Sequence, residues 1–525
     1  MNRRTGYRLF IMFLVFVFFI GCSSQPASEQ GTDENGHGGK SGQEAAEEKP
    51  VRGGELVMGY STDASSFDPI LGNAGSDHVL LYPVYDTLIR FNSDLQPQPG
   101  LAKSWEIEDE KTIVLHLQEG VVFHDGTPFD AEAVKFNLER ANSEESRVSD
   151  LKNLESVEVV DPHTVKLHLK QPDSSIILAL SDRTGMMVSP AAVKKYGKDY
   201  AQHPAGTGPF KMVSYQRNHE IRYEAFEDYW QAGLPYLDKL TVKIMPDENT
   251  RINALKSGQI DLSFPMSPAN LASLEKDPSL VVNSHPEVAY HKIYLNTTKP
   301  PFDNKKVRQA LNYAIDREAL VKAVSFGRAE ASYQPFPKGY WAHDPGITIP
   351  YDPEKAKQLL KEAGVGKVSF VMPYFPSGSY ERLAQAIRGQ LEKVGIEVQL
   401  QPMELTKGVS EFFQEKRHPS YLSRWTGRPD PQQTVNLIFS KDGYYNTGGQ
   451  STPELEELIK KAAATYEQDE RAKLYGEMAR IGILEEAMHI PLLTEPATAV
   501  MTKKVKGYEA NLLGKPNVSF LWVQQ

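Results

Sequence analysis

From Gly53 onward the chain switches repeatedly between two hydrophobic periods. Glu55-Leu56-Val57-Met58-Gly59-Tyr60 reads as a first strand, followed by a loop from Ser61 to Pro69. Val114-Leu115-His116-Leu117 and Thr164-Val165-Lys166-Leu167-His168-Leu169 are apolar at alternate positions, the period of a half-buried strand. Ala131 to Ala141 follows the helical period, with Val134, Leu138 and Ala141 on one face, Asp130 placed as N-cap and Glu132 in the first turn. The same spacing predicts helices at 250–257, 304–324, 353–364, 379–394 and 453–484. Interleaved strands and helices imply an α/β architecture. Two apolar segments, Lys292–Asn296 before a long helix and Ile490–Leu493 after the last one, read as chain crossings between two lobes, the second inserted in the first. The alternative is one continuous domain with 490–525 as a tail.

The N-terminus has a different texture. Arg3, Arg4 and Arg8 precede a strongly apolar run of 13 residues, Leu9–Gly21. A membrane span needs about 20 residues, so this run has the length of a secretory signal. It ends at Phe19-Ile20-Gly21-Cys22, and Cys22 is the sole cysteine. An incidental small apolar residue is one reading. The other is a lipobox, with cleavage after Gly21 and acylation of the Cys22 thiol, which explains a secreted chain with one cysteine and no disulfide partner. Phe19 stands where a lipobox usually has Leu. From Ser23 to Arg52 the chain is rich in Ser, Gly, Gln and Glu and has no aromatic residue, the composition of a flexible tether.

Composition narrows the function classes. The chain has 525 residues, a formal net charge of -10 and ordinary apolar and aromatic fractions, which suit two or more globular domains. Its acidity argues against a nucleic-acid partner. There is no G-x-S-x-G, H-E-x-x-H, G-x-x-x-x-G-K or G-x-G-x-x-G motif. No two histidines stand three or four apart as metal ligands on a helix would. His124-Asp125 could be imagined as an acid/base pair, but His124-Asp125-Gly126-Thr127-Pro128 has the residues of a tight turn. Binding without catalysis, cofactor or bound metal is the expectation.

Several blocks then share an order. Leu101-Ala102-Lys103-Ser104-Trp105-Glu106 is followed by Gly120–Phe129, Gly206-Thr207-Gly208-Pro209-Phe210-Lys211, Tyr229-Trp230, Gly258-Gln259-Ile260-Asp261, and Pro301-Phe302-Asp303 leading into Val307–Arg317. In these blocks the chain resembles the peptide/nickel/opine group of solute-binding proteins of ABC transporters, from about Gly53 to the C-terminus. Gln118-Glu119 departs from the basic residue usual there. The resemblance implies a two-lobed α/β fold of the periplasmic-binding-protein type with a hinge between the lobes. It also implies a monomer that captures a small or peptide-like solute and delivers it to permease subunits served by cytoplasmic ATPases. The division expected is 1–21 signal peptide, 22–52 tether after a lipidated Cys22, 53–291 with 490–525 as the first lobe (with an extra subdomain), and 292–489 as the second. The protein would then sit outside the cytoplasm, held by its lipid on the outer face of the cell membrane, or facing the periplasm where there are two membranes. Arg308 and Asp316 read as scaffold.

The resemblance also locates a ligand. Peptide-binding relatives carry a tryptophan followed three residues later by an aspartate that takes the peptide ammonium. Here Arg424-Trp425-Thr426-Gly427-Arg428-Pro429-Asp430 puts Arg428 in the place of the aspartate, with Asp430 two residues on. An arginine there repels an ammonium and suits a carboxylate or phosphate. Arg428 paired with Asp430, merely bracing the loop, is the competing reading. Arg183, in the turn Asp182–Met187, is expected to border the cleft from the first lobe. Tyr60, Trp425 and Arg424 complete the expected site, Tyr60 with an equal claim to be core. An acidic peptide, glutathione or an opine would fit. A nickel chelate is the alternative within transport, and a secreted peptide sensor or enzyme the alternative outside it.

Overall fold

The computed structural model describes residues 49–72 and 75–524. The signal run, Cys22 and nearly all of the tether lie outside them. Among the described residues, no helix is long and apolar enough to cross a membrane.

Two large sheets organise the chain. The first has seven strands in the order Leu280–His285, Ala497–Thr502, Leu262–Phe264, Glu55–Tyr60, Lys239–Ile244, Glu220–Ala225 and Phe210–Gln216. Glu55–Tyr60 runs parallel to both neighbours, and it is almost wholly buried from Leu56 on, as a strand covered on both faces must be. The second sheet has six strands in the order Glu330–Ala331, His489–Thr494, Tyr290–Leu295, Ser420–Trp425, Val368–Tyr374 and Ile396–Pro402. Each sheet has its own apolar core. A four-stranded antiparallel sheet (Ala102–Asp109, Thr112–Leu117, Thr164–Leu169, Leu154–Asp161) makes a third layer with the helix Ala131–Ala141. That helix starts as its sequence suggests: the Asp130 carboxylate accepts a hydrogen bond from the Ala133 amide at 2.9 Å.

The two large sheets exchange chain at only two adjacent places. Leu280–His285 pairs with Ala497–Thr502 in the first sheet, and Tyr290–Leu295 pairs with His489–Thr494 in the second. The links are Pro286–Ala289 and Glu495–Pro496, so the second sheet is inserted in the first. Sheet membership moves the expected boundaries at 292 and 490. Tyr290 and His291 lie with the second sheet, and so do residues 490–494, because their backbones are hydrogen-bonded there.

Two expected helices are interrupted. The 304–324 stretch is two helices, Lys305–Ala314 and Arg317–Ser325, because Ile315 is extended and Asp316 caps the second by accepting from the Ala319 amide at 2.9 Å. The 453–484 stretch divides into Pro453–Ala463 and Gln468–Ala479, followed by a wider turn at Arg480–Glu485.

Candidate functional site

The strand Ser420–Trp425 delivers the tryptophan loop. Trp425 pairs with Tyr290 and packs edge-on against Tyr445, ring centroids 5.1 Å apart. Gly427 then turns the chain with φ +73°, where a Cβ would stand 2.4 Å from Val288. The next residue, Arg428, has its guanidinium 5.1 Å from the Trp425 ring centroid and donates to the Gly427 carbonyl at 2.7 Å. Tyr445 stands close beside it. Burial works against the Arg428 charge, but Tyr445, Asp150 and Asp182 outweigh it and hold the guanidinium protonated.

Asp430 does not brace Arg428. It caps the helix Pro431–Ile438 through a capping box with Gln433, and its carboxylate is ion-paired with buried Arg471. Arg424 is likewise paired within the protein, with buried Glu287 of the Pro286–Ala289 link. Tyr60 donates to the Ser76 carbonyl at 2.9 Å and stacks on Phe264 within the first core. Asp430, Arg424 and Tyr60, all expected at the ligand, thus make polar contacts within the protein, with the Arg424 side chain still 35% exposed.

The other wall comes from the first lobe. Asp182 caps the turn Arg183–Gly185, accepting from the Arg183 amide at 2.6 Å, and its carboxylate also binds the His78 ring. Arg183 reaches the Gly72 carbonyl at 2.6 Å, while its buried Nε has no hydrogen-bond partner. The ammonium of Lys515, a residue only 7 % exposed, lies 3.9 Å from Asp182. Burial disfavours the Asp182 charge, yet His78, Lys515 and Arg183 together hold the carboxyl well below the usual range. His78 is held neutral, chiefly by burial. Around Asp182 stand three cationic side chains, Arg183, Lys515 and Arg428, two from one lobe and one from the other.

The lobes are in contact here. A Cβ built on Gly75 would sit 3.5 Å from Thr426 Oγ1 and 3.9 Å from Lys515 Cε. Gln433 donates to Asp150 at 2.7 Å, Ser174 donates to the Ala463 carbonyl at 2.8 Å, and Arg328 makes a two-pronged pair with Glu275 at 2.7 Å. Pattern reading missed Lys515, Asp182, His78 and Asp150. They come from distant segments, and only the charged Gly514-Lys515-Pro516 turn near the C-terminus offered a hint. His124-Asp125 is a turn closed by the Phe123 and Thr127 backbones, and burial lowers the His124 pKa to about 4.

Two α/β lobes joined by a pair of short links and meeting over a charged seam define an extracytoplasmic solute-binding protein. The chain belongs to the bacterial extracellular solute-binding proteins of family 5, whose model matches residues 96–446. It is the solute-binding component of an ABC importer and not an enzyme. It is 32% identical over 471 residues to the glutathione-binding protein GsiB of Escherichia coli O157:H7, covering 86% of this chain and 91% of that one. Among solved structures it resembles DppA from Helicobacter pylori in complex with the peptide STSA (27% identity, 90% and 99% of the two chains, TM-score 0.82). It also resembles AgaA from A. tumefaciens R10 in complex with agropinic acid (26% identity, 90% and 99%, TM-score 0.81).

Proposed function

We propose that the chain captures an anionic, peptide-like solute between its lobes, with Arg428 and Arg183 receiving acidic groups and Trp425 covering the ligand's apolar side. The observation that carries this reading is the state of Arg428. Its loop's own carboxylate, Asp430, is taken by Arg471, and its guanidinium lies at the seam with the opposite lobe. A guanidinium held there suits a carboxylate by planar, paired hydrogen bonds and disfavours a free ammonium. The relatives support this choice: glutathione carries two carboxylates, and agropinic acid is an acid by name. Mass spectrometry of solute carried through purification, followed by calorimetry with glutathione, tests it. Only cationic or neutral solutes in the purified protein, with no heat from glutathione, would exclude an anionic ligand.

The remaining parts of the reading concern placement and motion. Cys22 is the lipidated N-terminus of the mature protein, the tether to residue 52 carries a monomeric binding domain, and the lobes hinge at the two links. The Cys22→Ala protein is expected to fold but to escape acylation and leave the membrane fraction. A mature N-terminus at any residue other than 22 rules the anchor out.

A further inference from the structure

The first lobe carries a half-open cavity of about 510 Å³ lined by, among others, Tyr82, Arg90, Ser93, Asn511, Lys515 and Trp522. None of its lining comes from the inserted segment, so it is not the seam itself. Two of its four charged lining residues are paired with each other: Arg90 binds Asp86 as well as Gln231 and Tyr229, and Trp230 donates to Asp86. Glu509 is exposed at the rim. Two polar groups are not served in this way. The buried Tyr82 hydroxyl has no hydrogen-bond partner. The Lys515 ammonium has, among the described residues, one ion pair, stretched to 3.9 Å, with a carboxylate that His78 already holds.

Lys515 therefore joins two spaces. One side of it lines the cavity, and the other meets Asp182, Gly75 and the Arg428 seam. Three cations, Lys515, Arg183 and Arg428, face two carboxylates, Asp182 and Asp150, so the group is short of negative charge. The volume beside it falls within the range of small-molecule sites. Building on the anionic-solute reading above, we propose that Lys515 is a third cationic contact, receiving a second acidic group of the solute, whose body enters the first-lobe cavity. The site then selects solutes with two acidic groups over those with one.

Protonation follows the same geometry. Lys515 faces Asp182 and Asp150 as anions, Arg428 and Arg183 as cations, and His78 and Glu287 nearby. Burial first, then the two arginines, lower its pKa to about 8. A carboxylate docked on it raises that value, so the bound form holds more protons just above pH 8. Affinity is full below that pH and declines as pH rises through the window, with proton uptake on binding.

The test uses glutathione, its two mono-amides, and mono- and di-acid tripeptides, by calorimetry on the wild type, Lys515→Met and Lys515→Arg. In the wild type, di-acids are expected to bind more tightly than their mono-amides. Lys515→Met should lower di-acid affinity by about 10- to 1,000-fold while leaving one mono-amide within about threefold. Lys515→Arg should recover part of the loss. Wild-type titrations at about pH 9 in two buffers of different ionisation enthalpy should show proton uptake that Lys515→Met lacks. The wild-type comparison of di-acids with their mono-amides needs no variant, so a misfolded Lys515→Met leaves the test intact. Di-acids bound no better than their mono-amides, or an equal loss for every probe in Lys515→Met, overturns the role of Lys515 and leaves Arg428 standing. Failure of all acidic probes on the wild type overturns the anionic-solute reading and this inference with it.

Discussion

At the residue scale, two basic side chains of the second lobe, half-buried Arg428 and buried Lys292, do opposite things. On the proposed reading Arg428 meets the ligand, so Arg428→Ala removes a charge-assisted pair and leaves the ligand's anion inside a closed seam without a partner. The expected loss is about 2–5 kcal/mol, roughly 30- to several-thousand-fold in affinity. Arg428→Lys should recover only part of it, because an ammonium lacks the planar fork. Near-native affinity in a folded Arg428→Ala protein would remove this residue from the site. Lys292 is the contrasting case. It is fully buried without a hydrogen-bond partner, its Nζ lies 4.1 Å from the Tyr294 ring centroid, and Tyr290 and Trp425 stand close by. Burial holds its amine well below the ordinary lysine range. The unfolded chain therefore binds a proton that the native one does not, from the depressed value up to 10.5, and wild-type stability rises with pH by about 1.4 kcal/mol per unit there. Lys292→Met is expected to be more stable at neutral pH by about 1–3 kcal/mol, the gap narrowing as pH rises. Melting curves across pH check this, and a destabilised Lys292→Met at every pH would contradict it. Arg428 was legible as a departure from a family pattern. The burial of Lys292 was not, since the sequence does not say that Tyr290, Lys292 and Tyr294 share a covered face.

At the scale of elements, the cap at Asp130 was legible in the sequence, while the caps at Asp316 and Asp430 and the long-range pairings were not. Asp130, Asp316 and Asp430 each start a helix, and each is a short acidic side chain ahead of an apolar period. The break at Ile315 was hidden because both halves keep a helical period. Its signal was Asp316 itself, which suits a cap better than a helix interior. Asp430 has a second duty that no local pattern shows, because Arg471 is 41 residues away. This separates two substitutions of one type. Asp316→Ala loses a cap and should cost about 0.5–2 kcal/mol. Asp430→Ala loses a cap and also strands a buried arginine, for about 3–5 kcal/mol. Chemical denaturation of both should rank them in that order. Equal losses would mean that the Arg471 pair adds nothing, and a large loss of affinity in a stable Asp430→Ala protein would restore Asp430 to the ligand site.

At the scale of the whole molecule, the interleaved periods and the two apolar crossings already implied two lobes with one inserted. What they could not show is that the crossings are neighbouring strand pairs, which makes Pro286–Ala289 and Glu495–Pro496 a compact pair of links able to act as one hinge. Among the contacts between the lobes, Arg328–Glu275 can be removed without touching the candidate site. Both side chains are partly solvated, 29% and 43% exposed, so the pair contributes about 0.2–1 kcal/mol to closure, at most a fivefold shift in the open–closed ratio. Glu275→Ala should therefore enlarge the radius of gyration of the unliganded protein by small-angle scattering if closed and open forms coexist. Ligand affinity should fall by about two- to fivefold, since binding must supply the lost closure energy. The liganded profile should match that of the wild type, because a tightly bound solute restores the closed form. High salt should mimic the substitution in the wild type and have little further effect on the variant. An unchanged affinity at low salt would show that this pair is solvated equally in both forms and takes no part in closure. A loss far beyond fivefold would show that Glu275 supports the site itself and not only the meeting of the lobes.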